Sequence, residues 1–346
     1  RVDWQMDARQ WGDVTLRASA LTSEESDAME LRLPVLPHGI DKFVAWNGTS
    51  DGGTTGATVS RSGDTVTITQ MVFVPRDRII SSTKLQVVLS PSLASCLHDA
   101  LPYLLDYPYG CVEQTMSRFT PAAIVASTLR ELNIPPSPLI ERKLPAVIEQ
   151  GLSRLALFQH PDGGWGWWKD DETNGYMTAC VLYGLTMARE AGVAVDEDMF
   201  RRGLDRQVRE VLEKPSAGAR SGYRYFSDLH TLMYQAFVLQ LNGRGVPESL
   251  ELLWTRRDEL TPHGLALLAR TLWRAGRQDD ARIVLRNMHN VAVVTPENGT
   301  ARWGRLRDGW YWWHDAVEST AQGLLAHLEI DPRNPLAAQA MKWLVL

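Results

Sequence analysis

Hydrophobic positions along the chain follow two rhythms, and the change between them falls near residue 90. Before it, apolar residues come in short runs: "DVTLRASAL", "DAMELRLPVL", "DTVTITQMVFVP" and "KLQVVLS". These runs are rich in Val, Thr, Ile and Leu, and several alternate with period two, which predicts short strands. The stretch "NGTSDGGTTG" between them has turn composition. It holds Asn47-Gly48-Thr49, a glycosylation acceptor pattern that also arises by chance.

From Ser90 onward the spacing is helical. Ser90 suits an N-cap and Pro91 the first helical position of "SLASCLHDALPYLLDY". Thr120 and Pro121 are placed in the same way at the head of "FTPAAIVASTLRELNIPPSP". Further helical stretches are "KLPAVIEQGLSRLALFQ", "YMTACVLYGLTMAREAG", "DLHTLMYQAFVLQLNGRG", "TPHGLALLARTLWRAGR", "DDARIVLRNMHN" and "HDAVESTAQGLLAHLEIDP". After residue 90 the strand signal is confined to "NVAVVTP". An apolar helix ending in glycine recurs at Gly192, Gly243 and Gly276, in uneven steps of 51 and 33 residues. Repeated helical hairpins imply a solenoid or a closed ring. Two turns, "HPDGGWGWWKDDETN" and "ENGTARWGRLRDGWYWWHD", hold seven of the 13 tryptophans. Such Gly-Trp clusters are expected to pack one hairpin on the next rather than to bind a ligand.

Composition narrows the function. The 346 residues, 44% hydrophobic, suffice for about two domains with a sizeable core. A net charge of −5 provides no basic field for nucleic acid. No apolar run approaches the roughly 18 residues of a membrane span. Three cysteines, Cys96, Cys111 and Cys180, form no CxxC pair and have no histidine at metal-ligand spacing, so no metal site or cofactor is expected. Cys96 and Cys180 sit on apolar helical patterns and read as core. The start on "RVDWQ" and the end on "AMKWLVL" suggest a piece of a longer protein.

Cys111, in "YPYGCVEQTMS", carries the most specific chemistry. A helix starting at "CVEQTMSRF" puts Cys111 and Gln114 on one face, with Cβ atoms about 5–6 Å apart. The helix dipole there favours thiolate, and the charge of Glu113 opposes it. A thiolate beside a glutamine amide can expel ammonia and leave an intrachain thioester, provided the bond is kept dry. Tyr107 and Tyr109 are candidate walls. The bland alternative is an ordinary buried thiol. A cysteine protease needs an oriented histidine, but His98, His160, His230, His263, His289, His314 and His327 are scattered without a signature.

The block "YPYGCVEQTMSRFTP" resembles the thioester motif of the α2-macroglobulin and complement superfamily. The bacterial branch is nearest, with Val112 where animal members usually have Gly. "LRLPVLPHG", "GGWGWW" and "DAVESTAQGLLAHLEIDP" agree, the last through Val317, Glu318 and Thr320 of a "VE-x-T" helix. The resemblance covers roughly residues 25–346. It implies a mainly α chain. Residues 1–89 would be a small antiparallel β segment, the first part of a CUB-like domain. Residues 90–346 would be the thioester domain, an α/α toroid of helical hairpins ending before its last helices.

The resemblance also implies a protease-trapping inhibitor rather than an enzyme. Cleavage of a bait segment elsewhere exposes the Cys111–Gln114 thioester, which acylates lysine amines of the captured protease. Other domains of the same protein would shield the bond. A periplasmic or cell-envelope location follows, an inner-membrane lipoprotein among the options. Glu113 would orient the site. Glu318 and Thr320 would pack near it. His230, 119 residues after Cys111, stands about where some animal members carry an acyl-accepting histidine, although Ser227 or Asp228 competes for that place. A second resemblance, Gln159, Gly163 and Trp165 in the Q-x-x-x-G-x-W spacing of triterpene cyclases, lacks the cyclases' Asp-rich acid: Asp170 and Asp171 do not form it. The alternatives are therefore an α/α-barrel enzyme of cyclase or lyase type, or a structural member whose thioester never forms.

Overall fold

The computed structural model describes residues 3, 5–36, 39–40, 42–45, 57–76, 78–87, 110–131, 133, 135, 138–213, 223–305 and 315–345. The expected helix at 92–107, Cys96, the Asn47 pattern and Trp310, Trp312 and Trp313 lie outside these residues. The chain separates into two units, Arg1–Asn47 and Gly48–Leu346. The first contains an antiparallel pair, β1 (Gly12–Leu21) and β2 (Ser26–Val35), in register from Gly12 opposite Val35 to Leu21 opposite Ser26. Thr22 closes its turn: its hydroxyl accepts from the Glu25 amide at 2.8 Å. The second unit opens with β3 (Ala57–Ser62) and β4 (Thr65–Gln70), joined at Gly63 with φ +57°. A two-residue hairpin turn needs such a conformation.

Ten α-helices follow among the described residues: α1 (Val112–Glu131), α2 (Pro138–Phe158), α3 (Gly175–Glu190), α4 (Glu197–Glu213), α5 (Tyr223–Leu241), α6 (Pro247–Thr255), α7 (Pro262–Arg274), α8 (Gln278–Asn290), α9 (Ala316–Ile330) and α10 (Pro335–Val345). A short pair, β5 (Val293–Thr295) and β6 (Thr300–Arg302), joins α8 to α9. The "NVAVVTP" signal marks β5, whereas β6 had no strand signal.

Odd-numbered helices pack on one another in sequence, α1 on α3, α3 on α5, α5 on α7 and α7 on α9, and each is backed by the even-numbered helix that follows it. This is the order of an α/α toroid. Composition sorts the two layers. In α3 and α7 most residues are buried, because neighbours cover both sides. In α4 and α8 only a stripe is buried, Met199, Phe200, Leu204 and Val211 in one and Ala281, Val284, Leu285 and Met288 in the other, with charged residues outward. Inner helices separated by a single returning helix run parallel, so their N-termini share one end.

The glycine-terminated repeat is borne out. Gly192, Gly243 and Gly276 have φ of +74°, +68° and +80°, and each ends an inner helix. In each case the next amide reaches back to a carbonyl five residues earlier: Val193 to Ala188, Arg244 to Leu239 and Arg277 to Leu272. The uneven step reflects both layers: the outer helices have 17 residues in α4 but nine in α6, and the inner helices that follow have 19 in α5 but 13 in α7.

Two expectations need correction. Thr120 and Pro121 do not start a helix: α1 runs through them from Val112. Phe119, Ala122 and Ala123 are fully buried on either side of the proline, and that continuous buried face outweighs its lost hydrogen bond. Likewise α2 begins at Pro138 and passes through Pro145. The tryptophan turns do pack hairpins, but selectively. Trp165 and Trp303 are fully buried, while Trp167 and Trp168 are about half exposed.

The two buried tryptophans form matching latches. Trp165 donates its indole N–H to the Leu155 carbonyl of α2 at 2.8 Å, and its backbone exchanges hydrogen bonds with the Thr178 hydroxyl of α3. Trp303 donates to the Met288 carbonyl of α8 at 2.9 Å and exchanges the same bonds with Thr320 of α9. Each latch ties an outer helix to the next inner one.

Candidate functional site

Cys111 is the N-cap of α1: its carbonyl accepts from the Thr115 amide at 3.1 Å. The Gln114 backbone amide lies 3.5 Å from Cys111 Sγ, and the Cys111 backbone amide donates to the Gln114 side-chain Oε1 at 3.2 Å. This reciprocal pattern is a capping box, in which the cap side chain and the third helical residue satisfy each other's backbone amides. A cysteine here fills the Ser/Thr position. The geometry folds the Gln114 side chain back onto the Cys111 backbone amide. Cys111 is buried, and its Sγ lies 3.9 Å from Glu113 Oε2. Glu113 also accepts from the Ser117 hydroxyl at 2.9 Å.

Neighbouring elements fix this turn in place. Arg154 of α2 donates to the Gly110 carbonyl. The Val112 amide, another unpaired donor of the first turn, donates to the Trp167 carbonyl at 2.9 Å. The Trp167 loop is held by Asp171, which accepts from the Trp167 and Trp168 amides at 2.8 and 3.1 Å. Gly110 has a specific reason to lack a side chain. A Cβ there would stand 1.8 Å from Gln114 Oε1.

A second group of side chains lies where α3 packs on α5. Tyr176 and Cys180 stand one turn apart on α3, and Tyr234 comes from α5, its ring 5.6 Å from that of Tyr176. Burial pushes the Cys180 thiol up to about 12, against hydrogen bonds from Tyr176 and Tyr234. Burial also raises both tyrosines well above their ordinary value. The negative charges of Glu113 and Glu318 both act on Tyr176 and on Cys180, raising them further. Glu318, in the first turn of α9, sits 3.5 Å from the Nε2 of buried His263 on α7.

Cys111, Gln114 and Glu113 come together in one turn. Tyr107 and Tyr109 lie outside the described residues. His230 is buried on α5, and its Nε2 lies 3.1 Å from both the amide and the hydroxyl of Thr261, the N-cap of α7. That contact clamps one inner helix to the next. Thr320 serves the Trp303 latch. The cyclase-like trio is structural too: Gln159 donates to the Gly163 and Met199 carbonyls at 2.8 Å, next to the Trp165 latch. Sequence reading assigned Cys180 to the core and did not single out Tyr176, Tyr234 or His263. The one available signal was the four-residue spacing of Tyr176 and Cys180 on an apolar helix. Among the described residues no group of three or more His, Cys, Asp or Glu is placed to hold a metal.

Several known proteins are similar to this chain. The A-macroglobulin TED domain family matches residues 82–205. An α2-macroglobulin of Thermotoga maritima is 38% identical over 146 residues, 42% of this chain and 8% of that protein. The Escherichia coli α2-macroglobulin is 31% identical over 208 residues, 58% of this chain and 12% of that protein. The chain thus spans about a tenth of the length of these relatives. A crystal structure of Salmonella α2-macroglobulin reacted with methylamine shares the fold, with a TM-score of 0.59 and 21% identity over 97% of this chain and 21% of that one. The family match over residues 82–205 and these relatives together support an α2-macroglobulin-like thioester domain fragment in this chain.

Proposed function

We propose that Cys111 and Gln114 form an intrachain thioester, and that the full-length protein uses it to trap proteases covalently. One observation supports this reading: the capping box folds the Gln114 side chain back on Cys111, its Oε1 accepting from the Cys111 backbone amide while the Gln114 backbone amide lies against Sγ. In bond formation Sγ attacks Gln114 Cδ, the C–N bond breaks and ammonia leaves. Glu113, 3.9 Å from the sulfur, takes the thiol proton and passes it to the departing nitrogen. The developing oxyanion is Oε1, which already accepts from the Cys111 amide. A donor aimed where charge develops is the usual source of transition-state stabilisation in acyl transfer.

The acyl carbon then reacts with a lysine amine of the captured protease, forming an amide and freeing the Cys111 thiol. Cleavage of a bait segment elsewhere in the protein exposes the bond, and other domains keep it dry until then. Tyr107 and Tyr109 are proposed walls. In this reading His230 remains a clamp on α7 rather than an acyl acceptor, so amines attack directly. The protein is an inhibitor rather than an enzyme, located in the periplasm or cell envelope.

Intact-mass measurement tests the reading. Fresh full-length protein is expected to lack the mass of one ammonia and to gain methylamine stoichiometrically, releasing one thiol. Cys111→Ala should show neither change. A wild-type protein with full mass and an alkylatable Cys111 would refute the thioester.

A further inference from the structure

We infer that His160, held as an imidazolium against Asp171, is a positioning residue for the Cys111 turn: it fixes the Trp167–Trp168 backbone, which holds the peptide that follows Cys111. This inference rests on the thioester reading above. The two peptides that flank Cys111 are both gripped from outside α1. Arg154 donates to the Gly110 carbonyl of one, and the Trp167 carbonyl accepts from the Val112 amide of the other at 2.9 Å. These peptides set the direction of Sγ and the place of the Cys111 amide, the donor to Gln114 Oε1. The first grip comes from a helix. The second is loop backbone and needs support of its own.

Asp171 and His160 supply that support. Asp171 folds back over its own turn: its Oδ2 accepts from the Trp167 and Trp168 amides, and a Cβ on Gly166 would stand 1.9 Å from its Oδ1. That Oδ1 is buried and lies 3.5 Å from His160 Nε2. The same Nε2 is 3.1 Å from the Trp168 carbonyl, and Nδ1 is 2.8 Å from the Thr173 hydroxyl. The balance of donors and acceptors fixes the proton count on this buried ring. Thr173 has a single hydroxyl hydrogen, and it goes to Asp162 Oδ1 at 2.9 Å. Burial works against the charge on Asp162, but hydrogen bonds from Arg206, the Gly164 amide and the Thr173 hydroxyl hold its carboxyl below the ordinary value. Ionised Asp162 has no proton to give Thr173, so His160 Nδ1 donates to the Thr173 oxygen. His160 Nε2 faces a carbonyl and a carboxylate, both acceptors, so it donates as well. Two N–H groups make the ring an imidazolium, with Asp171 as its counter-charge. The other charged groups around this turn, among the described residues, come from α4: Arg206 pairs with Asp162 and Glu210, Arg209 donates to the Asp162 carbonyl, and Arg202 donates to Gln159. A neutral ring would leave one nitrogen facing acceptors without a hydrogen and release the Trp168 end of the loop.

The test uses full-length protein and hydroxylamine, an amine whose nitrogen is largely unprotonated at neutral pH. Acyl transfer to it forms a C–N bond and breaks the C–S bond, and one proton passes from nitrogen to sulfur. Asp171→Asn keeps an oxygen for the Trp167 and Trp168 amides but removes the charge that faces His160. If Asp171 only accepts those amides, the variant reacts at the wild-type rate. The imidazolium clamp predicts a rate roughly tenfold lower, part of the about 10²-fold that a misplacement of about 1 Å costs. Asp170→Asn, at the exposed neighbouring position, should react as wild type. A range from about pH 6 to about pH 8.5 spans the usual loss of the imidazolium proton. Over it the wild-type rate per unprotonated amine is expected to fall several-fold toward the alkaline end. His160→Gln removes the titrating ring and should be slow and flat over the same range. A wild-type rate in Asp171→Asn, or the same pH profile in wild type and His160→Gln, overturns the role of His160 while the thioester stands. Should the variants not form the bond, the wild-type profile decides alone, and a flat one overturns the role. Wild-type protein with no ammonia deficit overturns the thioester and this inference with it.

Discussion

Gly110→Ala separates reactivity from stability at this site. The added Cβ would stand 1.8 Å from Gln114 Oε1 and 3.0 Å from its Cδ. Ordinary contact lies near 3.5 Å, so the amide must retreat by roughly 1.5 Å or leave its position altogether. Retreat breaks the bond from the Cys111 amide to Oε1. Losing one such hydrogen bond costs about 1 kcal/mol, and the protein's melting temperature should fall by only about 2–4 °C. Reactivity should suffer far more. A misplacement of about 1 Å between reacting atoms costs on the order of 10²-fold in rate, and the oxyanion loses its donor at the same time. Intact-mass spectrometry should find Gly110→Ala at full mass, with Cys111 open to alkylation and no methylamine gained, while thermal unfolding stays close to wild type. Gly110→Ala protein showing the full ammonia deficit and wild-type methylamine uptake would refute the claim that the folded-back Gln114 conformation is the precursor of the bond.

Thr178→Val and Thr320→Val should cost similar amounts, about 1–3 kcal/mol each by urea denaturation, because each leaves a buried tryptophan amide without its acceptor. Neither should change the rate of methylamine uptake; a slowed rate at unchanged stability in Thr320→Val would instead give that residue a part in the chemistry. Acid should weaken the fold through His289 and His327, whose Nε2 atoms are 3.1 Å apart. Burial holds both below the ordinary value of 6.5, so between their folded values and 6.5 the unfolded chain binds more protons. Their contribution is present above pH 6.5 and lost as pH falls through the folded values. Urea midpoints should therefore drop from pH 7.5 to 5.5, with a shallower drop in His327→Gln; parallel slopes in the two proteins would contradict this assignment.

Local features were legible in the sequence. The C-x-x-Q step implied adjacency on a helix, and the structure makes it a capping box because the same spacing serves both purposes. Period-two runs marked β1, β2 and β4, and the glycine-ended helices marked α3, α5 and α7; β3 had no such run, and "KLQVVLS" forms no strand over its described residues 84–87. What was hidden depends on contacts between distant residues. Pro121 reads as a helix start until the buried face through Phe119 and Ala123 is known. The Trp165 and Trp303 latches are one device used twice, but the tryptophan-to-threonine distance is 13 residues in one and 17 in the other, so no fixed period reveals it. His263 and Glu318 lie 55 positions apart and meet only because α7 and α9 are neighbours in the inner layer.

The capping box also bears on what remains after the site has fired. Attack by an amine returns Gln114 as a substituted amide that keeps Oε1, so the Cys111 amide recovers its acceptor and the freed sulfur can again cap the Gln114 amide. Attack by water leaves a glutamate at the third helical position, where a negative charge suits the positive end of the helix. Either product fits the first turn of α1 at least as well as the uncharged amide did before the bond formed. On the proposed thioester chemistry, the first turn of α1 would therefore keep its fold after reacting, and the site would act once.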